Sequence, residues 1–186
     1  MYGYIIGTVT KVTPKNIICE NNNIGYLIIV PNPYNYSLNK EYKIFLHQYV
    51  REDAIELYGF LEEEEKDMFL KLISVSGIGP KSALSILATG TVKEIVDAIE
   101  SHNDHYLRKF PGIGAKASQQ IVLDLAGKLN FDNIKSGLTS SKLDDVEDAL
   151  IALGYNKKEI TKVISKLDAS KEVGELVKEA LKKLVK

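Results

Sequence analysis

The hydrophobic rhythm of the chain changes once near residue 62 and is interrupted again near residue 130. Over the first sixty or so residues, apolar side chains come in short runs rich in Ile, Val and Tyr: "YGYIIGTVTKV", "NIICE", "IGYLIIVP", "YKIFLHQYV" and "AIELYGF". The stretches between them, "TPKN", "NNN" and "PNPYNYSLN", have turn-forming compositions. In the fourth run Ile44, Leu46 and Gln48 alternate with Phe45, His47 and Tyr49, the period-two pattern of a half-buried strand. Five such strands predict a small closed β-barrel, of which the OB-fold is the common five-stranded form.

From "LEEEEKDMFLKLISVS" onward the period lengthens to that of a helix. Met68, Phe69, Leu72, Ile73 and Val75 fall roughly on one side, and the Glu run occupies the first turn, where the helix dipole favours negative charge. "TVKEIVDAIES" pairs Thr91 with Glu94 as a capping box ahead of an apolar stripe of Val92, Ile95, Val96 and Ile99. "AKASQQIVLDLAGKL" predicts another helix with Ile121, Val122, Leu125 and Leu129 inward. "NFDNIKSGLTSS" is polar, with Gly and Ser, and reads as a short linker. Three amphipathic helices are predicted beyond it, over 143–152, 157–167 and 171–185, with Asn156 and Glu159 marking the start of the second. The expected organisation is a barrel at 1–62, a helical domain at 63–130, a linker at 131–141 and a three-helix domain at 142–186. A domain as small as the last, with no disulfide or metal, is better suited to presenting a face to a partner than to housing a reaction.

Composition narrows the function classes. Hydrophobic residues make up 45% of the 186 and charged residues 26%, a soluble globular balance. No apolar run approaches the length of a membrane span. The opening "MYGYIIGTVTKV" lacks the basic segment and cleavage site of a signal peptide, and the single cysteine, Cys19, fits a reducing compartment. A cytoplasmic location, with no membrane partner, is the expectation. The net charge is -1 and stays near balance in each third of the chain, so any grip on phosphates must come from local placement of cations.

The local placement is in a repeat. "SVSGIGPKSA" (74–83) returns thirty-five residues later as "KFPGIGAKAS" (109–118). Glycine permits positive φ and a close approach of backbone to another surface, and the central isoleucine can turn inward to anchor the turn. Pro80 and Ala115 suit the first helical position, so the amides that follow would be the free N–H groups of a helix start. Those amides and the helix dipole make a phosphate site, to which Lys81 and Lys116 add a cation. Gly77, Ile78, Gly79, Lys81 and Ser82, with Gly112, Ile113, Gly114 and Lys116, are therefore candidate DNA-backbone contacts of two helix-hairpin-helix motifs. A Gly-x-Gly turn between helices can also be purely structural; it is the doubling of the same frame that favours the nucleic-acid reading. The frame is not that of a P-loop, so no ATP site is visible.

Four stretches in order carry a resemblance to a known family: "VREDAIELYGF", "GIGPKSALSIL", "FPGIGAKAS" and "ALIALGY". Over nearly its whole length the chain resembles the RuvA family of bacterial Holliday-junction-binding proteins. The resemblance implies a multi-domain α+β architecture: an N-terminal OB-fold, an all-α double helix-hairpin-helix domain and a C-terminal UBA-like three-helix bundle. It further implies binding of four-way DNA junctions without sequence preference, in recombination and repair. Its partners would be the hexameric RuvB ATPase, which the chain would recruit and stimulate for branch migration, and the RuvC resolvase in the full complex. The implied assembly is a homotetramer, with pairing into an octamer left open. Glu52 and Asp53 match the family's acidic pin, a hairpin tip whose carboxylates repel phosphates at the crossover. Leu153 and Tyr155, in the "LGY" turn, become candidates for the motor contact; on their own they read as a helix end. Phe110 and Ala115 depart from the pattern, where many relatives have Leu and a further basic residue, so the second hairpin is expected to grip with one cation fewer.

The resemblance implies no catalytic residue, metal or cofactor. His47, His102 and His105 form no metal-binding spacing, "HNDH" reads as a polar turn, and "EEEE" as a solvated helix start. One alternative is a helix-hairpin-helix glycosylase or repair-nuclease accessory domain, with Lys116 as the reactive lysine and Asp132 downstream. A third reading is a protein-interaction module centred on the last three helices.

Overall fold

The computed structural model describes residues 1–129, 142–165, 167–168 and 171–184. The predicted linker, 131–141, lies outside the described residues, as does Asp132. The chain forms two compact units, 1–129 and 130–186.

In the first unit the five predicted strands form: β1 (Tyr4–Val12), β2 (Ile17–Asn21), β3 (Ile24–Ile28), β4 (Glu41–Val50) and β5 (Ile55–Phe60). They make one antiparallel sheet in the order β3-β2-β1-β4-β5. The β2–β3 connection turns on Asn22 and Asn23, both at positive φ, as a two-residue hairpin with right-handed strand twist requires. The sheet curls until its ends meet. The Ile29 amide donates to the Leu57 carbonyl at 2.8 Å, and the Gly59 amide donates to the Ile29 carbonyl at 2.9 Å. Closure demands glycine at that seam: a Cβ on Gly59 would stand 2.4 Å from Ile28 Cγ2 and 2.7 Å from Ile44 Cγ2. The barrel is filled by Ile5, Val9, Ile17, Cys19, Ile28, Val30, Tyr36, Ile44 and Leu46. Burial raises the Cys19 thiol above its ordinary pKa, so it behaves as a small apolar side chain.

Five helices follow in the same unit: α1 (Glu63–Ser74), α2 (Pro80–Thr89), α3 (Val92–Glu100), α4 (Asp104–Leu107) and α5 (Ala115–Leu125). Phe69 fastens α1 to the barrel, its ring centroid lying 5.0 Å from Phe60, 5.1 Å from Tyr58 and 5.8 Å from His47. Burial there, with Lys66 nearby, lowers the His47 pKa. The capping box at Thr91 and Glu94 is fully formed, and its hydrogen bonds hold the Glu94 carboxyl below its ordinary pKa. Where the sequence suggested only a polar turn at "HNDH", the chain makes the one-turn helix α4, because the Asn103 side chain accepts from the Tyr106 amide and caps it.

The second unit contains α6 (Lys142–Ala152), α7 (Lys157–Ile164) and α8 (Val173–Leu184) around Val146, Leu150, Ile160, Val163, Leu176 and Ala180. Helix α7 ends at Ile164, before the predicted 167, and α8 begins at Val173 rather than 171; the predicted last position, 185, lies outside the described residues. Helix α7 starts at Asn156, whose side chain accepts from the Lys158 amide. No described helix is long and apolar enough to cross a membrane.

Candidate nucleic-acid interface

The two Gly-Ile-Gly turns share one backbone. Gly77 and Gly112 sit at φ +83° and +82°, the left-handed region that glycine reaches without strain. Gly79 and Gly114 are the N-caps of α2 and α5, at φ -96°, ψ 172° and φ -87°, ψ 179°. Between them Ile78 and Ile113 are buried, and each donates its amide at 3.1 Å to an upstream carbonyl, Val75 and Phe110 respectively. Neither helix has a side-chain cap. The first amides of each helix, on Lys81 and Ser82 after Pro80 and on Ala115, Lys116 and Ala117, therefore have neither an intrahelical acceptor nor a capping side chain. Lys81 and Lys116 are exposed, and neither forms an ion pair among the described residues. The two turns are neighbours: a Cβ built on Gly112 would lie 3.8 Å from Ser82 Oγ.

The second hairpin has its own bracing, which sequence reasoning missed. Ser118 is fully buried, donates to the Ala115 carbonyl at 2.9 Å and accepts from Arg108 Nε at 3.4 Å. Arg108 also pairs with Asp104 of α4. Lys109 lies 3.4 Å from the centre of the Tyr106 ring, a cation–π contact. The two basic residues ahead of this turn thus help hold it together. Only the adjacency of Arg-Lys to the motif could have signalled them, and adjacency does not say which way the side chains turn.

Glu52 and Asp53 occupy the tip of the β4–β5 hairpin, closed by the Arg51 amide donating to the Ala54 carbonyl at 2.8 Å. Both carboxylates are exposed and form neither ion pair nor hydrogen bond among the described residues. A groove of about 340 Å³ runs from this hairpin to the first turn of α2, lined by Arg51, Asp53, Tyr58, Gly79, Lys81 and Ser82 among others. The structure thus brings Asp53 of one hairpin and the first turn of α2, with Lys81 and Ser82, to a single groove, while Glu52 lies outside its lining. Among the described residues no cluster of three His, Cys, Asp or Glu side chains could hold a metal.

In the second unit the "LGY" turn is a complete Schellman motif. The Gly154 amide donates to the Ile151 carbonyl at 2.9 Å, the Tyr155 amide donates to Leu150 at 3.2 Å, and Gly154 has φ +91°. Leu153 is 59% exposed beside Ile151 at 45%, whereas Tyr155 packs its ring against the bundle core.

A closed five-stranded barrel fused to tandem Gly-Ile-Gly hairpins defines a nucleic-acid-binding protein of the OB-fold and helix-hairpin-helix class. Comparison with known proteins refines this. Residues 1–59 match the RuvA N terminal domain, 69–126 the SAM-like helix-hairpin-helix tandem, and 141–185 the RuvA C-terminal domain. A protein of Acholeplasma laidlawii (strain PG-8A) is 50% identical over 186 residues, with all of both chains covered. Proteins of Streptococcus pyogenes serotype M1 and Streptococcus pneumoniae (strain CGSP14) are 47% and 46% identical over 197 residues, again covering both chains in full. Each is named Holliday junction branch migration complex subunit RuvA. The chain belongs to the RuvA family.

Proposed function

We propose that this chain binds four-way DNA junctions without reading their sequence and serves as the junction-binding subunit of a branch-migration complex. The observation that carries this is the pairing of two geometrically equivalent backbone-amide turns with an unpaired acidic hairpin in one compact unit. Each turn offers free amides, a helix N-terminus and a lysine to a phosphate, and none of these groups distinguishes one base from another. Gly77, Ile78, Gly79, Lys81 and Ser82 form one clamp, and Gly112, Ile113, Gly114 and Lys116 the other. Glu52 and Asp53 do the opposite. Two unit charges 4 Å apart repel by about 1 kcal/mol in bulk water and about 4 kcal/mol at an effective dielectric near 20. That is comparable with the ~1.4 kcal/mol of a DNA stacking step, so a few carboxylates at a crossover can keep strands apart.

In this reading four copies surround the junction as a homotetramer, giving eight clamps for the arms and eight carboxylates at the centre. The barrel, 1–62, supplies the pin; 63–130 supplies the clamps; 142–186 engages the motor, the RuvB ATPase, through the exposed Leu153 and the half-buried Tyr155. ATP turnover belongs to that partner, and RuvC would act on the same junction. The glycosylase alternative is not favoured: three full-length relatives are named as a branch-migration subunit.

Salt dependence of junction affinity tests the proposal. Eight clamps that each neutralise one phosphate predict a log–log slope near -7, at about -0.9 per contact. A flat dependence would exclude backbone clamping as the source of affinity.

A further inference from the structure

The end of β4 carries an arrangement that neither the turn nor its two carboxylates require. Tyr49 and Arg51 are two residues apart, so their side chains project to the same face. Arg51 donates from both Nε and Nη2 to the Tyr49 hydroxyl oxygen, at 2.8 and 2.6 Å. Its guanidinium also lies 5.0 Å from the centre of the Tyr49 ring. The ring is itself held in place, edge-on to Tyr58 with centroids 6.2 Å apart. Tyr58 is buried and donates to the Glu56 carboxylate at 2.6 Å, so the whole support is fixed to β5.

An arginine directly before Glu-Asp at a hairpin tip would be expected to fold onto those carboxylates, since bidentate Arg–carboxylate pairing is the favoured geometry for both groups. Arg51 makes no such pair. Its hydrogen bonds go instead to a neutral oxygen, and the Asp53 and Glu56 carboxylates act on it only through space, without a hydrogen bond or ion pair. Arg51 and Tyr49 line the same groove as Gly79, Pro80, Lys81 and Ser82. The cation therefore shares one groove with Asp53 of the acidic tip and with Lys81 of the first clamp.

We propose that Tyr49 is a positioning residue whose hydroxyl keeps the Arg51 guanidinium from closing an ion pair with the acidic tip, so that the Glu52 and Asp53 carboxylates stay open to the crossover and Arg51 joins Lys81 in meeting a backbone phosphate. The inference rests on the junction-binding reading above. It explains how one short hairpin presents attraction and repulsion side by side without the two collapsing into an ion pair.

Tyr49→Phe is the test, because it removes the hydroxyl and keeps the ring contact with Tyr58. It is compared with Arg51→Ala and with the double variant, in the full-length chain on a synthetic four-way junction. Tyr49→Phe should bind about tenfold more weakly at low salt, equivalent to one decade of dissociation constant. The log–log salt slope should be shallower by about 0.9 for each phosphate that is no longer neutralised. The double variant should be no weaker than Arg51→Ala, because Tyr49 acts through Arg51. A fluorescent base analogue at the crossover supplies a readout that a structural role would not move. In Tyr49→Phe the freed guanidinium turns onto the carboxylates and strand separation falls, whereas Arg51→Ala leaves the tip charged and separation intact. A preference for the junction in the wild-type protein, with Tyr49→Phe unchanged or with effects that add in the double variant, overturns this inference alone. A wild-type protein that binds linear duplex as tightly as the junction overturns the junction reading, and the Tyr49 role with it.

Discussion

Replacing Gly79 with alanine adds one methyl group at the N-cap of α2, on an extended backbone that any residue adopts. That methyl would meet no protein atom within 4 Å. The fold should barely notice. Glycine is somewhat the better N-cap, but alanine loses less unfolded-state entropy, by about 0.4–1 kcal/mol, and the two effects offset to within about 0.5 kcal/mol. Gly77→Ala is the control, because its Cβ also meets open space but its φ is +83°. Forcing alanine into the left-handed region costs about 1–2 kcal/mol. For a unit of this size that lowers the melting temperature by roughly 4 °C per kcal/mol. Junction binding should rank the two differently. An N-cap side chain projects toward the N2 and N3 amides, here those of Lys81 and Ser82, so the added methyl is expected on the side from which a phosphate oxygen has to approach. Hydrogen bonds to a charged partner contribute about 1.5–3 kcal/mol each, so losing one weakens binding about tenfold to a hundredfold, and more if several subunits contribute. Circular-dichroism melts and gel shifts on a four-way junction measure both quantities on the same samples. Wild-type affinity in Gly79→Ala, or a melting temperature lowered as far as in Gly77→Ala, would refute the assignment of Gly79 to the ligand rather than to the fold.

The remaining expectations concern other parts of the molecule. Glu52→Gln with Asp53→Asn should leave junction binding intact or tighter while reducing strand separation at the crossover; loss of binding would contradict the repulsive role of the tip. Gly59→Ala should destabilise the barrel by at least about 1–3 kcal/mol, because the new methyl collides with Ile28 and Ile44, and an unchanged melting temperature would show that the seam can open to admit it. In the second unit, hydrogen bonds from Lys171 and Lys183 hold the Glu179 carboxyl at about 2, below its ordinary 4.5. A depressed folded-state value means that its contribution is complete above pH 4.5 and is lost as the pH falls through about 2. Acid titration of the full chain should therefore show a step in α8 that Glu179→Gln abolishes, and an identical profile in the two proteins would exclude the link.

The strands and the long helices were legible because their signals are local. Alternation at Ile44, Leu46 and Gln48 and the stripe through Val92, Ile95, Val96 and Ile99 both lie within a dozen residues, and both elements form. Barrel closure was legible only as a class. The seam pairs Ile29 with Leu57 and Gly59, about thirty residues away, and no periodicity encodes that. Helix α4 was missed because four residues are about one helical turn, too short to establish a period, and its capping asparagine resembles any polar turn residue. In the second unit the end of α7 and the start of α8 differ from the predicted limits by two or three residues, because apolar periodicity does not mark the terminal residue of a helix. The doubled Gly-Ile-Gly frame identified the hairpins from sequence, but not which glycine of each pair bears the positive φ; the geometry assigns that to Gly77 and Gly112. The partners of Arg51 and Arg108 were invisible, because a sequence states a charge but not where its side chain turns.

The central claim is that clamps and acidic tip together select a junction, and one measurement addresses it most directly. The full-length protein is titrated, at physiological salt, against a synthetic four-way junction and against linear duplex of the same arm sequence. The account predicts much tighter binding to the junction, with the preference insensitive to base sequence, because only the junction lets several clamp pairs engage at once around a central repulsive tip. Equal affinity for the two DNAs would contradict it.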